Sequence, residues 1–175
     1  KGWVPLEDDV TALEPVAPNT QRAIFAYGNS GSVTNISNLV NSSGVVAADV
    51  SGVGTARAGL AAATYGGDKA IFAFGSGYSN LSNLVTNQGV VGSDQTGVGT
   101  ARDYLAATSY GGDKAIFGYG NIYSGGYVIY SLKNLVSNSG VVATDVSGVG
   151  TARRELSATT YGGDKGMFAY GNSGG

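Results

Sequence analysis

Ala23-Ile24-Phe25-Ala26-Tyr27-Gly28 returns three more times, with small changes, at residues 70–75, 115–120 and 166–171. Successive copies begin 47, 45 and 51 residues apart. A self-similar period in this range is typical of repeat proteins, in which each unit is one supersecondary element that buries its apolar face only against its neighbours. The stretch therefore predicts a chain built from tandem structural units.

The sequence between these copies is equally regular. It runs from Asn-Leu-Val through a polar turn to Gly-Val-Val and an Asp, continues with Gly-Val-Gly-Thr-Ala-Arg, and ends in Tyr-Gly-Gly-Asp-Lys. This pattern is complete at residues 38–69, 83–114 and 134–165. Residues 1–22 do not match it and are predicted to form an irregular lead-in. The repeats then occupy 23–175, with units that start near residues 23, 70, 115 and 166.

Composition restricts the possible functions. The length of 175 residues fits one domain, and with 13% charged residues and a net charge of -2 the chain offers no basic surface for nucleic acid. The longest apolar runs, of about five residues, are too short to span a bilayer, so we expect no membrane insertion. Because the chain begins at Lys1 rather than Met, we expect a processed product or a part of a longer polypeptide.

Each unit contains two predicted hairpins. In one unit, residues 60–65 and 69–74 are joined by a Gly-Gly-Asp turn, in which glycine supplies the positive φ of a tight turn. The next hairpin joins residues 83–85 to 90–93. The mostly apolar Ala-Ile-Phe-Ala-Tyr run fits a strand covered on both faces. Four strands in about 48 residues predict an all-β fold in which each unit is one blade of a β-propeller.

These units resemble kelch-type blades in their order of Ala-Arg, apolar strand, turn, and a strand ending in an aromatic residue and Gly. The usual double glycine is Tyr-Gly or Phe-Gly here, and the family's tryptophan is missing. More specifically, Tyr-Gly-Gly-Asp-Lys-Ala-Ile-Phe-Gly-Tyr-Gly, followed by Asn-Leu-Val and Gly-Val-Val-Ala-Thr-Asp, is similar to tandem repeats in structural proteins of tailed bacteriophages, especially marine ones, over residues 23–171. This resemblance implies a virion or tail-associated protein rather than a catalytic activity.

The number of units leaves the closure of a propeller ring open. A ring needs at least about four blades, whereas the chain has four copies of one strand and three copies of the others. We expect a partial ring that further sequence or another chain completes; the alternative is a ring to which residues 1–22 lend strands. Because periodicity does not determine curvature, a linear β-solenoid or a trimeric fibre is a further alternative.

Polar residues that recur in every unit are predicted to be structural, because catalysis needs a residue only once. They are Asp49, Asp94 and Asp145, and Arg57, Arg102 and Arg153. Each Asp suits an Asx-turn before the glycines that follow it. A calcium loop is the alternative, but calcium takes roughly six to eight oxygens and one carboxylate per loop is evident. Each Arg is predicted to tie neighbouring units together through carbonyls or an Asp. We predict no metal and no cofactor.

Residue types also disfavour an enzyme. Without His and Cys, the chain lacks the commonest general base, a thiol nucleophile and the usual transition-metal ligands. A glycosidase needs two carboxylates around one bond. The acids that do not recur are Glu7, Asp8, Asp9, Glu14, Asp103 and Glu155. Four of these lie in the lead-in, and the other two follow a recurring arginine, so we predict that the chain is not an enzyme.

The repeats differ most after each aromatic-Gly pair, at residues 29–37, 76–82 and 121–133. In repeat folds such insertions map to one face, which is often the binding face. Tyr, Ser, Gly and Asn are typical of recognition loops, because tyrosine gives rigid contact area at low entropy cost. The predicted ligand or partner contacts are Tyr78, Tyr123, Tyr127, Tyr130, Asn29 and Asn121. Alternatively, the third insertion is an extended hairpin whose tyrosines cover a unit or contact a neighbouring subunit.

The sequence therefore favours a non-enzymatic structural and binding module of a phage particle, located in the virion. Its expected partners are a host-surface glycan, other virion proteins or another copy of itself, and not nucleic acid. The alternative is a bacterial surface adhesin or a lectin-like repeat protein, either secreted or at the cell surface. A fragment of a propeller hydrolase is the third and least favoured hypothesis.

Overall fold

The computed structural model describes residues 21–174, so the predicted lead-in at 1–22 lies almost entirely outside the described residues. Within this part of the chain there are twelve strands and no helix. They are β1 (Gln21–Asn29), β2 (Val33–Asn41), β3 (Ala61–Tyr65), β4 (Lys69–Ala73), β5 (Ser82–Val85), β6 (Ala106–Tyr110), β7 (Lys114–Gly118), β8 (Asn121–Tyr123), β9 (Tyr127–Ile129), β10 (Lys133–Val136), β11 (Ser157–Tyr161) and β12 (Lys165–Ala169). The described residues form no helix that is long and apolar enough to cross a bilayer.

The strands form antiparallel sheets that follow the sequence repeat. Units are counted from here on by sheet, so that units 2 to 4 begin one strand before their copy of the hexapeptide. Unit 1 contains β1 and β2, unit 2 has the order β3-β4-β5, unit 3 has the order β6-β7-β10, and unit 4 contains β11 and β12. The β8–β9 hairpin is inserted in unit 3 between β7 and β10. The prediction of an all-β chain made of repeated antiparallel sheets is confirmed.

The hairpin that opens units 2 to 4 is also confirmed. In unit 2 the pairing runs from Ala61↔Ala73 to Tyr65↔Lys69, and units 3 and 4 have the same register. Gly66 and Gly67 in the turn have φ values of 61° and 84°. This left-handed backbone is the reason why the turn is Gly-Gly in each of these units.

The predicted hairpin of residues 83–85 and 90–93 forms only in part. Its second segment, named here the outer arm (residues 91–95 in unit 2), makes no continuous ladder with β5. Two isolated bridges pair Val85 with Val91 and Ser82 with Gln95. Four steps along the outer arm therefore match three along β5, which is a β-bulge. The Asn83 side chain bridges the gap by donating to the Gly92 carbonyl at 3.0 Å and to Asp94 at 2.9 Å. Equivalent bridges recur in units 1 and 3.

Neighbouring units pack through aromatic rings in or directly after β1, β4, β7 and β12. The ring pairs Tyr27–Phe72, Phe74–Phe117 and Tyr119–Phe168 each have centroids 5.5 Å apart. The main core lies between units 2 and 3 and includes Ile71, Phe74 and Phe117, which are fully buried. Each such side chain contributes roughly 1.5–3 kcal/mol by leaving water, so stacking of units rather than any single sheet forms the core.

Two opposite surfaces result from the antiparallel pairing, because the first strand of a unit begins where the second strand ends. The variable surface is defined as residues 29–32, 58–59, 76–81, 103–104, 121–130 and 154–155. The constant surface is defined as the turns 66–68, 111–113 and 162–164, which all read Gly-Gly-Asp. The insertions in the repeat therefore lie on one side of the sheets, and the invariant turns lie on the other.

Candidate functional site

An arginine clamp joins units 1 and 2. Arg57, whose side chain is 0% exposed, donates from Nη2 to Asn83 Oδ1 at 2.5 Å and from Nη1 to the Thr55 carbonyl at 3.1 Å. Thr55 donates from its N–H and its hydroxyl to Asp94 Oδ2 at 3.0 and 2.7 Å. The guanidinium carbon lies 4.5 Å from the centroid of the Tyr27 ring. The linker between the two units, which contains Thr55 and Arg57, thus holds Asn83 and Asp94 of unit 2. Its arginine also stacks on Tyr27 of unit 1.

The same clamp joins units 2 and 3. Arg102 donates to Asn134 Oδ1 at 2.6 Å and lies 4.3 Å above the Phe74 ring. Thr100 donates from its N–H and hydroxyl to Asp145 at 2.9 and 2.6 Å. Burial lowers the pKa of Arg102 to about 10, although the charge of Asp145 opposes this shift. The arginine is therefore still protonated at neutral pH and gives charge-assisted hydrogen bonds.

The predicted Asx-turn is wrong for Asp94 and Asp145. Their carboxylates accept hydrogen bonds from the threonine of the preceding linker and the asparagine of their own sheet, and not from amides two residues ahead. Burial would raise the pKa of both carboxyls, but these hydrogen bonds outweigh burial and lower it. Residues 21–174 contain no group of three or more side chains suited to hold a metal ion.

At the two outermost units, the described residues contain only half of a clamp. In unit 1, Asn38 donates to Asp49 at 2.8 Å, and no arginine or threonine side chain among residues 23–174 contacts this exposed carboxylate. In unit 4, Arg153 lies 4.7 Å above the Tyr119 ring and donates to the Tyr170 carbonyl at 3.0 Å. No Asn or Asp in the described part of the chain bonds to Arg153. Among the described side chains, complete clamps are therefore seen at the two inner joints.

The three predicted loops have different structures. Residues 33–37 belong to β2, so the predicted loop at 29–37 is wrong in extent and only a short turn remains between β1 and β2, each nine residues long. Three of the four residues 33–36 are β-branched, which fits a strand. Residues 76–78 form a turn before β5. The insertion at 121–133 contains the β8–β9 hairpin, whose last pair is Tyr123↔Tyr127.

Three of the predicted contact residues lie together on the variable surface and are named here the tyrosine cluster: Tyr78, Tyr123 and Tyr127. The rings of Tyr123 and Tyr127 form a T-shaped pair with centroids 5.1 Å apart. Tyr78, from unit 2, donates its hydroxyl to the Tyr123 carbonyl. The three residues are 63%, 57% and 45% exposed in chain order. Units 2 and 3 thus form one exposed aromatic cluster.

The structure does not bring the other predicted contacts into this cluster. Tyr130 is half-buried and its backbone N–H donates to the Gly120 carbonyl at 2.8 Å. Asn29 lies in unit 1, where its side chain accepts the Gly31 N–H at 2.9 Å and closes the turn. Asn121 is only 1% exposed. Its side chain lies in the wall of a cavity on the variable surface and not on the exposed surface itself.

Four residues missed as contacts complete the variable surface. Asp103-Tyr104 and Arg154-Glu155 follow the recurring arginines at the position where unit 2 has Ala-Gly. Tyr104 and Glu155 have φ values of 51° and 55°, a left-handed backbone that is strained in residues other than glycine and that clusters at functional sites. Comparing the units position by position, and not only by insertion length, would have found these residues.

Arg154 connects the start of unit 4 to the insertion of unit 3. Its guanidinium carbon lies 3.8 Å from the centroid of the Tyr127 ring. It also pairs with Glu155, at 3.1 Å between Nη1 and Oε1. The β8–β9 hairpin is therefore contacted by Tyr78 on one side and by Arg154 on the other. Residues from three successive units hold the tyrosine cluster in place.

A cavity of about 230 Å³, named here the acceptor pocket, opens on the variable surface between units 2 and 3. It is lined in part by Tyr78, Arg102, Asp103, Asn121 and Tyr123. Asp103 and Asn121 pair through two backbone hydrogen bonds of 2.9 Å. Cavities of about 290 and 500 Å³ also exist, but they lie between the sheets and are lined mainly by recurring residues. The acceptor pocket is the one built from residues that distinguish the units.

The fold has a counterpart among known structures. No protein-family model matches this chain, and no curated protein is similar to it in sequence. It is similar to the solved structure described as "Structure of YjhT", with a TM-score of 0.60 and 13% sequence identity. The similarity covers 82% of this chain and 46% of that chain, so this chain spans about half the length of its structural neighbour. At this identity the likeness concerns the fold alone.

Proposed function

We propose that the chain is a segment of a kelch-like β-propeller that works as a non-enzymatic binding module through its variable surface. Units 2 and 3 each have three strands and a bridged fourth segment, and each is joined to the preceding unit by the same clamp, which supports the blade interpretation. A partial ring, completed by further units or by another chain, is compatible with four copies of one strand and three copies of the others in the sequence. The fold-level likeness to YjhT over less than half of that chain is compatible with a segment of a larger ring.

The observation that carries the binding proposal is the convergence of side chains from three successive units on the tyrosine cluster. Exposed tyrosines provide large, rigid contact area with little entropy loss on binding. A scaffold of sheets that is constant from unit to unit, with side chains that vary on one surface, is the arrangement in which repeat proteins place their binding face. The cluster is thus the centre of the proposed contact surface.

We place the protein in a virion, as a tail-associated component whose variable surface contacts a host-surface glycan or another virion protein. Tyrosine rings stack on the apolar faces of sugar rings and leave their hydroxyls free for hydrogen bonds. A bacterial surface adhesin or lectin-like repeat protein, secreted or cell-surface, is the second candidate, because it uses the same surface for the same chemistry. A propeller hydrolase is the third candidate, and it requires catalytic acids outside the described residues.

The binding proposal is tested with the full chain and surface polysaccharides of bacteria. We expect retention of at least one polysaccharide, and at least tenfold weaker retention of the double variant Tyr123→Ala/Tyr127→Ala, because large aromatic residues dominate contact energies. Tyr161→Ala is the matched control, since Tyr161 is 55% exposed but ends β11 beside the constant surface. Equal weakening by both variants would contradict the assignment of the variable surface.

The location is tested separately from the binding surface. We expect the coding sequence to lie among capsid and tail genes, and antibodies against the chain to label purified particles. A coding sequence that instead joins these units to a secretion signal or a cell-wall anchor would favour the adhesin. If the polysaccharide is cleaved by the wild-type chain and not only bound, the hydrolase candidate takes the place of both.

A further inference from the structure

Each joint between neighbouring units has two different sides. The ring of each aromatic-Gly pair packs on a phenylalanine ring of the following unit. The ring pairs are Tyr27–Phe72, Phe74–Phe117 and Tyr119–Phe168, and each has centroids 5.5 Å apart. A unit therefore contributes its aromatic-Gly ring to the joint with the next unit and its phenylalanine to the joint with the preceding one.

Unit 4 exposes the side of this joint that unit 2 buries. Met167 and Tyr170, named here the trailing face, are 48% and 85% exposed. Their equivalents in unit 2 are Ile71 and Phe74, which are both 0% exposed and belong to the main core. The trailing face thus has the residue types of a buried joint and is open to solvent.

Unit 1 exposes the opposite side of the joint. Phe25 and Val46, named here the leading face, are 61% and 53% exposed. The equivalent phenylalanine of unit 3, Phe117, is 0% exposed, and the equivalent valine, Val142, packs against the same core. The leading face is therefore the counterpart of the trailing face, at the other limit of the described array.

This exposure is specific to the joint positions. The first valine of Gly-Val-Val lies outside the joints, and its exposure is similar in units 1 to 3, at 60%, 59% and 65% for Val45, Val90 and Val141. At the joint positions, by contrast, exposure depends on whether another unit is packed there. Exposed apolar patches of this kind mark sites of protein association.

We infer that the trailing face of one copy of the chain binds the leading face of a second copy, with Tyr170 packed on Phe25 as Tyr119 packs on Phe168. The two faces are complementary because the same pair of surfaces packs together three times within the chain. This inference rests on the proposed partial ring and names its partner. Since such a joint keeps the strand directions, the variable surfaces of both copies lie on one side of the assembly.

The number of copies follows from the geometry of the joint. A contact between two different faces is head-to-tail, and it either closes into a ring or continues as a filament. This chain spans 46% of the length of its structural neighbour, so two copies would span nearly all of that length. We therefore expect two copies in a closed assembly.

The first test is sedimentation of the full chain over a wide range of protein concentrations. We expect twice the mass of one chain at high concentration and dissociation on dilution, because the linker that raises the effective concentration of neighbouring units is missing between copies. The mass of a single chain at every concentration would overturn the inference.

The second test blocks the two faces separately. Tyr170→Asp and Phe25→Asp each place a charge in the joint, so each variant alone should associate at least about tenfold more weakly than the wild type. Mixed together, they should pair one to one, since one variant retains the leading face and the other the trailing face. Val141→Asp is the matched control, with similar exposure outside the joints, and should associate like the wild type.

The mixture also guards against misfolding, because only folded variants can restore the pair. Tyr170 has a φ of 61°, a left-handed backbone that Asp tolerates better than most residues. If the mixture stays unpaired although both variants unfold cooperatively on heating, the inference is wrong. Loss of association in only one of the two variants would indicate contact between like faces and would also overturn it.

Failure of this inference is distinguishable from failure of the proposed binding function. If the wild-type chain always has the mass of one copy, but Tyr123→Ala/Tyr127→Ala still weakens polysaccharide retention, the inference fails and the binding proposal stands. If the blocked variants behave as expected, but that double variant retains polysaccharide like the wild type, the inference holds and the binding proposal fails.

Discussion

The constant and variable surfaces have similar backbones and different side chains. On the constant surface, the N–H of Gly66 donates to the Asp113 carbonyl at 2.7 Å, and Gly111 donates in the same way to Asp164 at 2.6 Å. On the variable surface, Tyr104 donates to the Gly59 carbonyl and Glu155 to the Tyr104 carbonyl, both at 2.8 Å. Each side thus has its own chain of unit-to-unit hydrogen bonds.

The side chains on the two surfaces differ in how much they repeat. The turn aspartates Asp68 and Asp113 accept hydrogen bonds from Asn87 and Asn138 at 3.1 and 3.0 Å, so even their polar contacts are copied from unit to unit. The variable surface has Gly, Tyr and Glu at equivalent left-handed positions. Assembly of the units therefore uses backbone hydrogen bonds on both surfaces. Recurring side chains accompany these bonds on the constant surface, whereas the side chains of the variable surface differ from unit to unit.

The largest effect should come from removing a clamp arginine. Arg102→Ala removes the donor to Asn134 and to the Tyr119 and Thr100 carbonyls, and the 3.8 Å ion pair with Asp145. We expect a loss of about 3–5 kcal/mol in the free energy of unfolding. Arg154→Ala removes a partly exposed pair on the variable surface and should cost about 1 kcal/mol. Urea denaturation measures both values. Similar losses would erase the distinction between a structural joint and a variable surface.

Two glycines sharpen this distinction for the backbone. Gly28 and Gly75 have nearly the same φ, +115° and +117°. A Cβ on Gly75 would lie 2.8 Å from the Ala58 carbonyl oxygen, whereas a Cβ on Gly28 meets no atom of the described residues within 4 Å. Both alanine variants carry backbone strain, and Gly75→Ala adds a clash. We expect it to be less stable than Gly28→Ala by roughly 1–3 kcal/mol in urea denaturation. Equal losses would show that strain alone matters.

Acid should destabilise the clamps by protonating Asp94 and Asp145, and it should remove the cost of burying a charged Asp103. The pKa of Asp94 and Asp145 is lowered in the folded state, so their stabilisation is present above the ordinary carboxyl value of 3.8 and is lost as the pH falls through the folded values. Burial raises the pKa of Asp103 in the folded state, so the stability that its protonated form contributes is lost as the pH rises through the folded value. Thermal unfolding between pH 7 and pH 2.5 should show a fall of several degrees below about pH 4.

Variants assign this pH dependence to particular residues. Thr55→Val/Thr100→Val removes hydroxyl donors to Asp94 and Asp145 and should flatten the loss in acid. Asp103→Asn should raise the thermal midpoint at pH 7 and change it little at pH 3. A lower thermal midpoint for Asp103→Asn at pH 7 would contradict the conclusion that burial of this carboxylate is destabilising.

The smallest effect should come from the tyrosine cluster. Tyr123→Ala removes a ring that is 57% exposed and should change the free energy of unfolding by no more than about 0.5 kcal/mol. Tyr65 is 4% exposed at the end of β3, and Tyr65→Ala should cost about 3–5 kcal/mol. Thermal and urea unfolding measure both. A large loss for Tyr123→Ala would mean that the cluster supports the fold.

Sequence periodicity was sufficient to predict the units, the all-β class and the Gly-Gly-Asp hairpins, because these depend on residues close together in the chain. It was not sufficient for the bulged outer arm, since Asn83 replaces ladder hydrogen bonds with side-chain ones. It was also not sufficient for the Asp94 carboxylate, because the partner of that carboxylate is Thr55, 39 residues earlier, and not a residue of the adjacent turn.

The candidate site was predicted in part. Tyr78, Tyr123 and Tyr127 were found because they lie in insertions of unequal length. Asp103 was set aside because it follows a recurring arginine, and its burial beside Asn121 depends on a pairing between two segments 18 residues apart. Local sequence carries no signal of that proximity.

Because the arginine clamp uses the same residues at each inner joint, one unit is interchangeable with another. Recombination between the near-identical stretches that encode Gly-Val-Gly-Thr-Ala-Arg would add, delete or reorder whole units and leave every new joint with its Thr, Arg, Asn and Asp. Such an event changes which insertions stand side by side without any substitution in the core. Exchange of whole units at these joints would therefore generate new surface combinations without point mutation.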